Sequence, residues 1–429
     1  MSSAPPLSVD AEAARNKLDK AISSHIEKVF PEGQGPTKEF KFLPVPAYAF
    51  GTLFMFSFND FIRRRTFLLF LIALSATLTV CLALARSFLM FQIFSFLIGM
   101  FTISPQIIVS LVKDHTHPSR KSLFTAIVLA GYITGFVIAR LTGGVIAYLL
   151  SWKYVYYFAF GMQYTVLLFC YGTVPDFPAR DKTFTYIGVL SSMFNHATSE
   201  PVMVQVALAN MALGAGVASH SITLSFLLGG PSFNFSTLKI GLFGLTEIAG
   251  MILSVFAGRV IDRITPWYAI LGASLGLIAF HAMLATAGSA SISLLIVGCI
   301  GLDALKQLQY VSLAASVYTC APSDYFYIPT FFDAYFNSFN IQHLYRVTNT
   351  FEHDTYTLCD SELLLKSSVL MMCFQYYLGQ LIGTAVGSKI FVDHGWQYSA
   401  AFGLTCYVFQ AIVMLLRGPS CKRWRWIGY

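Results

Sequence analysis

Apolar runs long enough to cross a hydrocarbon layer recur along the whole chain, and this limits the possible folds more than any motif does. A helix needs about 20 residues to make the crossing. Such runs fall at about 44–60, 66–86, 88–112, 122–150, 153–173, 202–229, 236–258, 267–288, 290–320, 367–391 and 396–416. Inside hydrocarbon every backbone polar group needs a partner within the protein, so a spanning chain is either helical or a closed barrel. None of these runs alternates strictly between apolar and polar residues, which excludes barrel strands. The chain reads as an all-α polytopic membrane protein.

Composition agrees. Charged residues make up 11% of the chain, against about 25% in soluble proteins, and the mean hydropathy is +0.63. The net charge of +7 sits in loops and tails, so it reads as orientation in the membrane and not as a nucleic-acid surface. The eight cysteines are scattered without CxxC or HxxxC spacing. They read as small packing residues, with no disulfide framework, metal site or cofactor implied.

The polar connection "VPDFPARDKTFTYIGVLSSMFNHATSEP" splits the spans into two groups. The expected organisation is a cytoplasmic polar tail over 1–43, an N-terminal transmembrane bundle over 44–173 and a central cytoplasmic linker over 174–201. A C-terminal bundle over 202–416 follows, with a cytoplasmic insert over 323–365, and a basic cytoplasmic tail occupies 417–429. Alternate loops carry the basic residues: Arg63–Arg65, then Lys113, Arg120 and Lys121, then Arg180 and Lys182, then Arg259 and Arg263. The positive-inside rule puts these loops in the cytoplasm together with the C-terminal tail.

Two polar knots, "FNDFIRRRTFLLF" and "GRVIDRITPWYAI", sit at matching places in the two halves, with Asp60 and Asp262 202 residues apart. Internal repeats of this kind mark many secondary transporters. The paired knots resemble the G-x-x-x-D-R-x-G-R-[RK] signature of the major facilitator superfamily. Gly258, Asp262 and Arg263 match the second copy; Asp60 and the basic run match the first, with Phe56 in the glycine position. "FLPVP", "FLLGGPSFNFSTLKIGLFGL", "GTAVGSKIFVDHGW" and the ending "RGPSCKRWRWIGY" further resemble a fungal subgroup of general-substrate or multidrug-type members. The resemblance implies two pseudo-symmetric bundles that move a small organic solute by alternating access. Two departures stand out. Relatives carry a whole first helix where Ala47 here follows Pro46, and a short basic loop where this chain has the 323–365 insert. We read these as a skipped exon and a translated intron, a real cytoplasmic loop being the other reading of the insert; twelve spans are then expected.

The resemblance assigns the knots a role. Asp60 and Asp262, with Arg63, Arg64, Arg65, Gly258 and Arg263, would form a cytoplasmic latch between the halves. An acidic residue there faces the positive start of a helix in the opposite half. Simple inside-positive anchoring is the competing reading.

Ionisable residues at membrane depth are the sharper signal, because each uncompensated charge costs at least about 2.5–3.5 kcal/mol there. Arg140 and Glu247 both lie about 15–17 Å from the outer ends of their spans. They belong to helices that the resembled fold packs together across the halves, so they are expected to pair, either as a gate or coupling pair or as a structural ion pair. Asp303 and Lys306 share one helical face in "GLDALKQLQY" and can neutralise each other. Gln106 and His220 complete the candidate substrate or coupling set, although each of these polar residues, like Gln205, Asn210 and Gln309, is also explained by an interhelical hydrogen bond. "GYITGFVIARLTGGVIA" resembles an antiporter motif, with Ala139–Arg140 in place of Gly-Pro; close helix packing explains its glycines equally well.

Paired His boxes and nucleotide motifs are lacking, so an enzyme is not the expected reading. The expected protein is a monomeric, proton-coupled exporter in the plasma membrane. The alternative is a transport-inactive receptor or truncated pseudo-transporter.

Overall fold

The computed structural model describes residues 47–48, 50–51, 54, 63–104, 107–108, 121–175, 191, 201–230, 232–250, 252, 265–287, 291–318 and 355–418. Asp60, Gln106, Gly258, Asp262 and Arg263 lie outside the described residues. The same holds for most of the first expected span.

Ten helices are assigned among the described residues. In the N-terminal half they are α1 (Arg64–Leu84), α2 (Phe88–Phe101), α3 (Lys121–Leu149) and α4 (Trp152–Thr173). The C-terminal half holds α5 (Pro201–Gly229), α6 (Thr237–Leu242), α7 (Pro266–Ala287), α8 (Ile292–Tyr318), α9 (Thr355–His394) and α10 (Trp396–Leu416). Five of them, α1, α5, α7, α8 and α10, are long and apolar enough to cross a membrane on length and composition alone.

Each half builds its own core. Phe67, Leu68, Leu71, Ile72, Ile103, Ile107 and Cys170 cluster in the first, where α1 packs on α2 and α4. In the second, α5 is the hub, flanked by α9 and α10, while α7 packs on α8 and α10. Close approach explains the α5–α9 seam. Gly379, Gly383 and Gly387 recur one turn apart on α9, and a Cβ at these positions would collide with the Met211 carbonyl, the Ala215 carbonyl and the Ser219 hydroxyl of α5. Between helices in lipid, where both surfaces are already apolar, such backbone proximity supplies the attraction. Gly395, at φ 91°, lets the chain reverse between α9 and α10.

Polar residues stitch these helices together. The Gln205 amide donates to the carbonyls of Val413, Met414 and Arg417 at 3.0–3.2 Å. Trp267 Nε1 donates to Met414 and Arg417 as well. Together they satisfy the unpaired carbonyls at the end of α10. Asn210 Nδ2 donates to the Met372 carbonyl at 2.8 Å, and Gln309 Nε2 to Ser274 Oγ at 2.8 Å.

Beyond the run 88–112, where α2 stops at Phe101 and the chain leaves the helix at Thr102–Ile103, two further spans differ from expectation. The run 236–258 is not one straight helix: α6 stops at Leu242, Phe243–Gly244 form a turn, and helix resumes over 245–250. At the turn the amides of Gly244, Thr246 and Glu247 bond three residues back, to Gly241, Phe243 and Gly244. Thr246 Oγ1 also donates to the Phe243 carbonyl at 2.8 Å, so the break leaves little backbone unsatisfied in the membrane. The other difference is α9, which begins at Thr355 instead of 367 and takes in the end of the expected 323–365 loop. No glycine or proline occurs between Thr355 and Leu378 to stop it.

Candidate functional site

One place where the two halves meet is the crossing of α3 and α6. Gly144 and Gly241 make the crossing possible: a Cβ on either would stand 3.1 Å from the Cα of the other. Four residues before Gly144, one helical turn back on α3, lies Arg140. Six residues beyond Gly241, past the break, lies Glu247. The crossing therefore brings the two charges together, and Arg140 Nη1 donates to Glu247 Oε1 at 2.6 Å. The pair is partly accessible, with side-chain exposures of 39% for Arg140 and 18% for Glu247.

Around this pair lies a cavity of about 220 Å³, lined by residues of α3, α5, the broken α6 segment and α8. Arg140, His220, Glu247 and Asp303 all face it. Asp303 in turn holds Lys306 at 2.5 Å, and Lys306 also lies within electrostatic reach of Glu247. Gly250 seats the resumed helix on α8, since a Cβ there would collide with Cβ of Asp303. Four charges thus form one network of zero net charge, with Arg140 supplied by the N-terminal half and the other three by the C-terminal half. Only Nη1 of Arg140 is hydrogen-bonded among the described residues, and the guanidinium stacks 5.4 Å from the Phe136 ring. Its remaining donors are available to a guest in the cavity.

His220 presents Nε2 to Cys299 Sγ at 3.8 Å and sets its ring 5.4 Å from that of His281. Cys299, Ser221, Thr237 and Thr246 are cavity residues that the sequence reading does not single out. Cys299 is within its reach, because it sits four residues before Asp303 and so on the same helical face.

The remaining candidates fall elsewhere. Arg64 is 4% exposed. Arg65 Nη2 donates to the Tyr171 carbonyl at 2.7 Å and its guanidinium lies 5.5 Å from the Tyr171 ring, which ties the start of α1 to the end of α4. That contact lies within the N-terminal half. Arg63 borders α1 at its N-terminal end. Of the glycines in the antiporter-like stretch, Gly144 is closely packed, whereas among the described residues nothing lies within 4 Å of a Cβ built at Gly131 or Gly135.

Residues 42–325 match the family described as Major Facilitator Superfamily. Over 276 residues the chain is 26% identical to the uncharacterized transporter YgaY of Escherichia coli, covering 64% of this chain and 69% of that protein. The probable transporter SCO4007 of Streptomyces coelicolor is 26% identical over 163 residues, 38% of each chain. The crystal structure of the human organic anion transporter MFSD10 superimposes with a TM-score of 0.59 at 16% identity, covering 94% of this chain and 89% of that one. These relatives are bacterial and human, so they do not bear on the fungal grouping. The chain belongs to the Major Facilitator Superfamily, as a multi-pass integral membrane transporter and not an enzyme.

Proposed function

We propose that the chain exports a small organic anion by alternating access, in company with protons, and that the cavity around Arg140 and Glu247 is its solute site. One observation carries this reading: an ion pair joins the two halves inside a cavity that both halves line. Rocking the halves apart would separate Arg140 from Glu247 and free a guanidinium for a carboxylate, sulfonate or phosphate. MFSD10 is an organic anion transporter of the same fold, which is consistent with that class of guest.

Charge balance supports the proton. The network is neutral when empty, so an anion entering it leaves one uncompensated negative charge at membrane depth. A proton on Glu247 or Asp303 removes that penalty, about 2.5–3.5 kcal/mol or more. Asp60, Asp262 and the arginines beside them would hold the cytoplasmic ends together, and Gln106 would face the pathway. The general-substrate grouping comes from the sequence resemblance, and the plasma membrane, the monomeric state and the outward direction are part of the same proposal.

The test is transport of labelled aryl carboxylates by the purified protein in liposomes with an imposed pH gradient. Accumulation that follows the gradient and is lost in Arg140→Gln supports the reading. No movement of any solute, or an unaltered Arg140→Gln, refutes it.

A further inference from the structure

The break in α6 opens a second space on its far side. A groove of about 230 Å³ faces the membrane between α6 and α8, lined by Phe235, Lys239, Leu242, Phe243, Thr246 and Ile296. Phe243 and Thr246 line the central cavity as well. Those two side chains, at the turn itself, are shared walls between the groove and the cavity.

The groove is graded along its length. Lys239 lies two residues into α6, near the membrane surface, and it is exposed. Among the described residues it has no acidic partner; its ammonium rests 5.3 Å from the Phe235 ring. Leu242 and Ile296 are exposed and apolar. Lys239 stands three residues before the end of α6, about 5 Å along the helix axis, and Thr246 lies beyond the turn, farther from the surface end. The next residue is Glu247, bonded to Arg140. A cation thus stands at the surface end of an apolar groove, and a second cation stands just behind its inner end.

We infer that this groove is a lateral portal for amphipathic organic anions. A single-chain amphiphile in the outer leaflet lays its tail along Leu242 and Ile296 with its anionic head on Lys239. Displacement of Phe243 and Thr246 then passes the head to Arg140. This rests on the transport reading above and narrows its substrate class. Charge complementarity selects the occupant: a neutral lipid gains nothing from Lys239, and a compact soluble anion gains nothing from the apolar walls.

The test uses the full-length protein in phosphatidylcholine vesicles containing dodecyl phosphate with a diazirine on its tail. After photoactivation, adducts are mapped by mass spectrometry. They are expected to concentrate on the segments holding Leu242 and Ile296, and unlabelled dodecyl phosphate should compete where dodecanol and inorganic phosphate do not. Lys239→Gln should lower this labelling about two- to fivefold, as loss of one exposed charge contact would, while Lys239→Arg retains it. Adducts spread evenly over other lipid-exposed residues such as Phe169 and Ile412 would overturn the portal, as would unchanged labelling in Lys239→Gln. Groove labelling in a protein that moves no aryl carboxylate would keep the portal and refute the transport reading. Aryl carboxylate transport without groove labelling would do the reverse.

Discussion

Neutralising Arg140 and Glu247 separately and together gives the sharpest energetic prediction. In Arg140→Gln the four-charge network is left at −1, and in Glu247→Gln at +1. Arg140 sits about 14 Å from the C-terminal end of α3 and Glu247 is bonded to it, at a depth where an unpaired charge costs about 2.5–3.5 kcal/mol by the lower estimates. Lys306 and the 39% exposure of Arg140 soften that penalty, so each single variant should lose about 2 kcal/mol. The double variant has no net charge to strand. Its loss should fall below the sum of the singles by about 1–2 kcal/mol, the coupling of a partly screened contact pair. Unfolding in mixed detergent micelles, followed by tryptophan fluorescence, measures all four corners of the cycle. Losses that add to within about 0.5 kcal/mol would show that the pair is not coupled and refute the reasoning.

Other perturbations separate the remaining parts. Asp303→Asn leaves Lys306 without its carboxylate and should destabilise by about 2–3 kcal/mol, with Asp303→Asn/Lys306→Met recovering most of it in the same unfolding assay. Gly383→Leu drives a side chain into the Ala215 carbonyl and should cost at least about 1–3 kcal/mol, seen as a lowered melting temperature of the detergent-solubilised protein. Gln205→Leu removes one amide from the end of α10 and leaves Trp267 Nε1 in place, so a loss of about 1 kcal/mol is expected. Gly241→Val forces α6 off Gly144 and should abolish solute transport more than it lowers stability; equal loss of both would count against a functional crossing.

The long helices are legible in the sequence because hydrocarbon demands a continuous apolar run, and their observed bounds fall close to the expected ones for α1, α3, α4, α5, α7, α8 and α10. The depth of Arg140 and Glu247 is legible for a related reason, since hydrocarbon penalises a lone charge, whereas their pairing is what the family resemblance implies. Spacing alone reveals Asp303 and Lys306. What stays hidden depends on backbone geometry. Hydropathy passes smoothly over Phe243–Gly244, since a turn closed by three-residue hydrogen bonds and a threonine hydroxyl needs no polar run. Without that break neither the cavity's position nor the groove at Lys239 can be inferred. The early start of α9 escapes because polarity there mimics a helix end, although "SELLLKSSVLMM" is rich in helix formers. His220 and Cys299 lie 79 residues apart, and nothing local in either helix signals their contact.

Paired distance measurements across the two halves test alternating access most directly. Spin labels at Leu149 of α3 and Tyr398 of α10 report one side of the membrane, and labels at Phe169 of α4 and Leu416 of α10 report the other; all four residues are exposed and remote from the cavity. Adding a transported anion under a pH gradient should lengthen one distance while shortening the other. Two distances that stay fixed, or that change together, in a protein still moving its solute would contradict two bundles rocking about a shared central site.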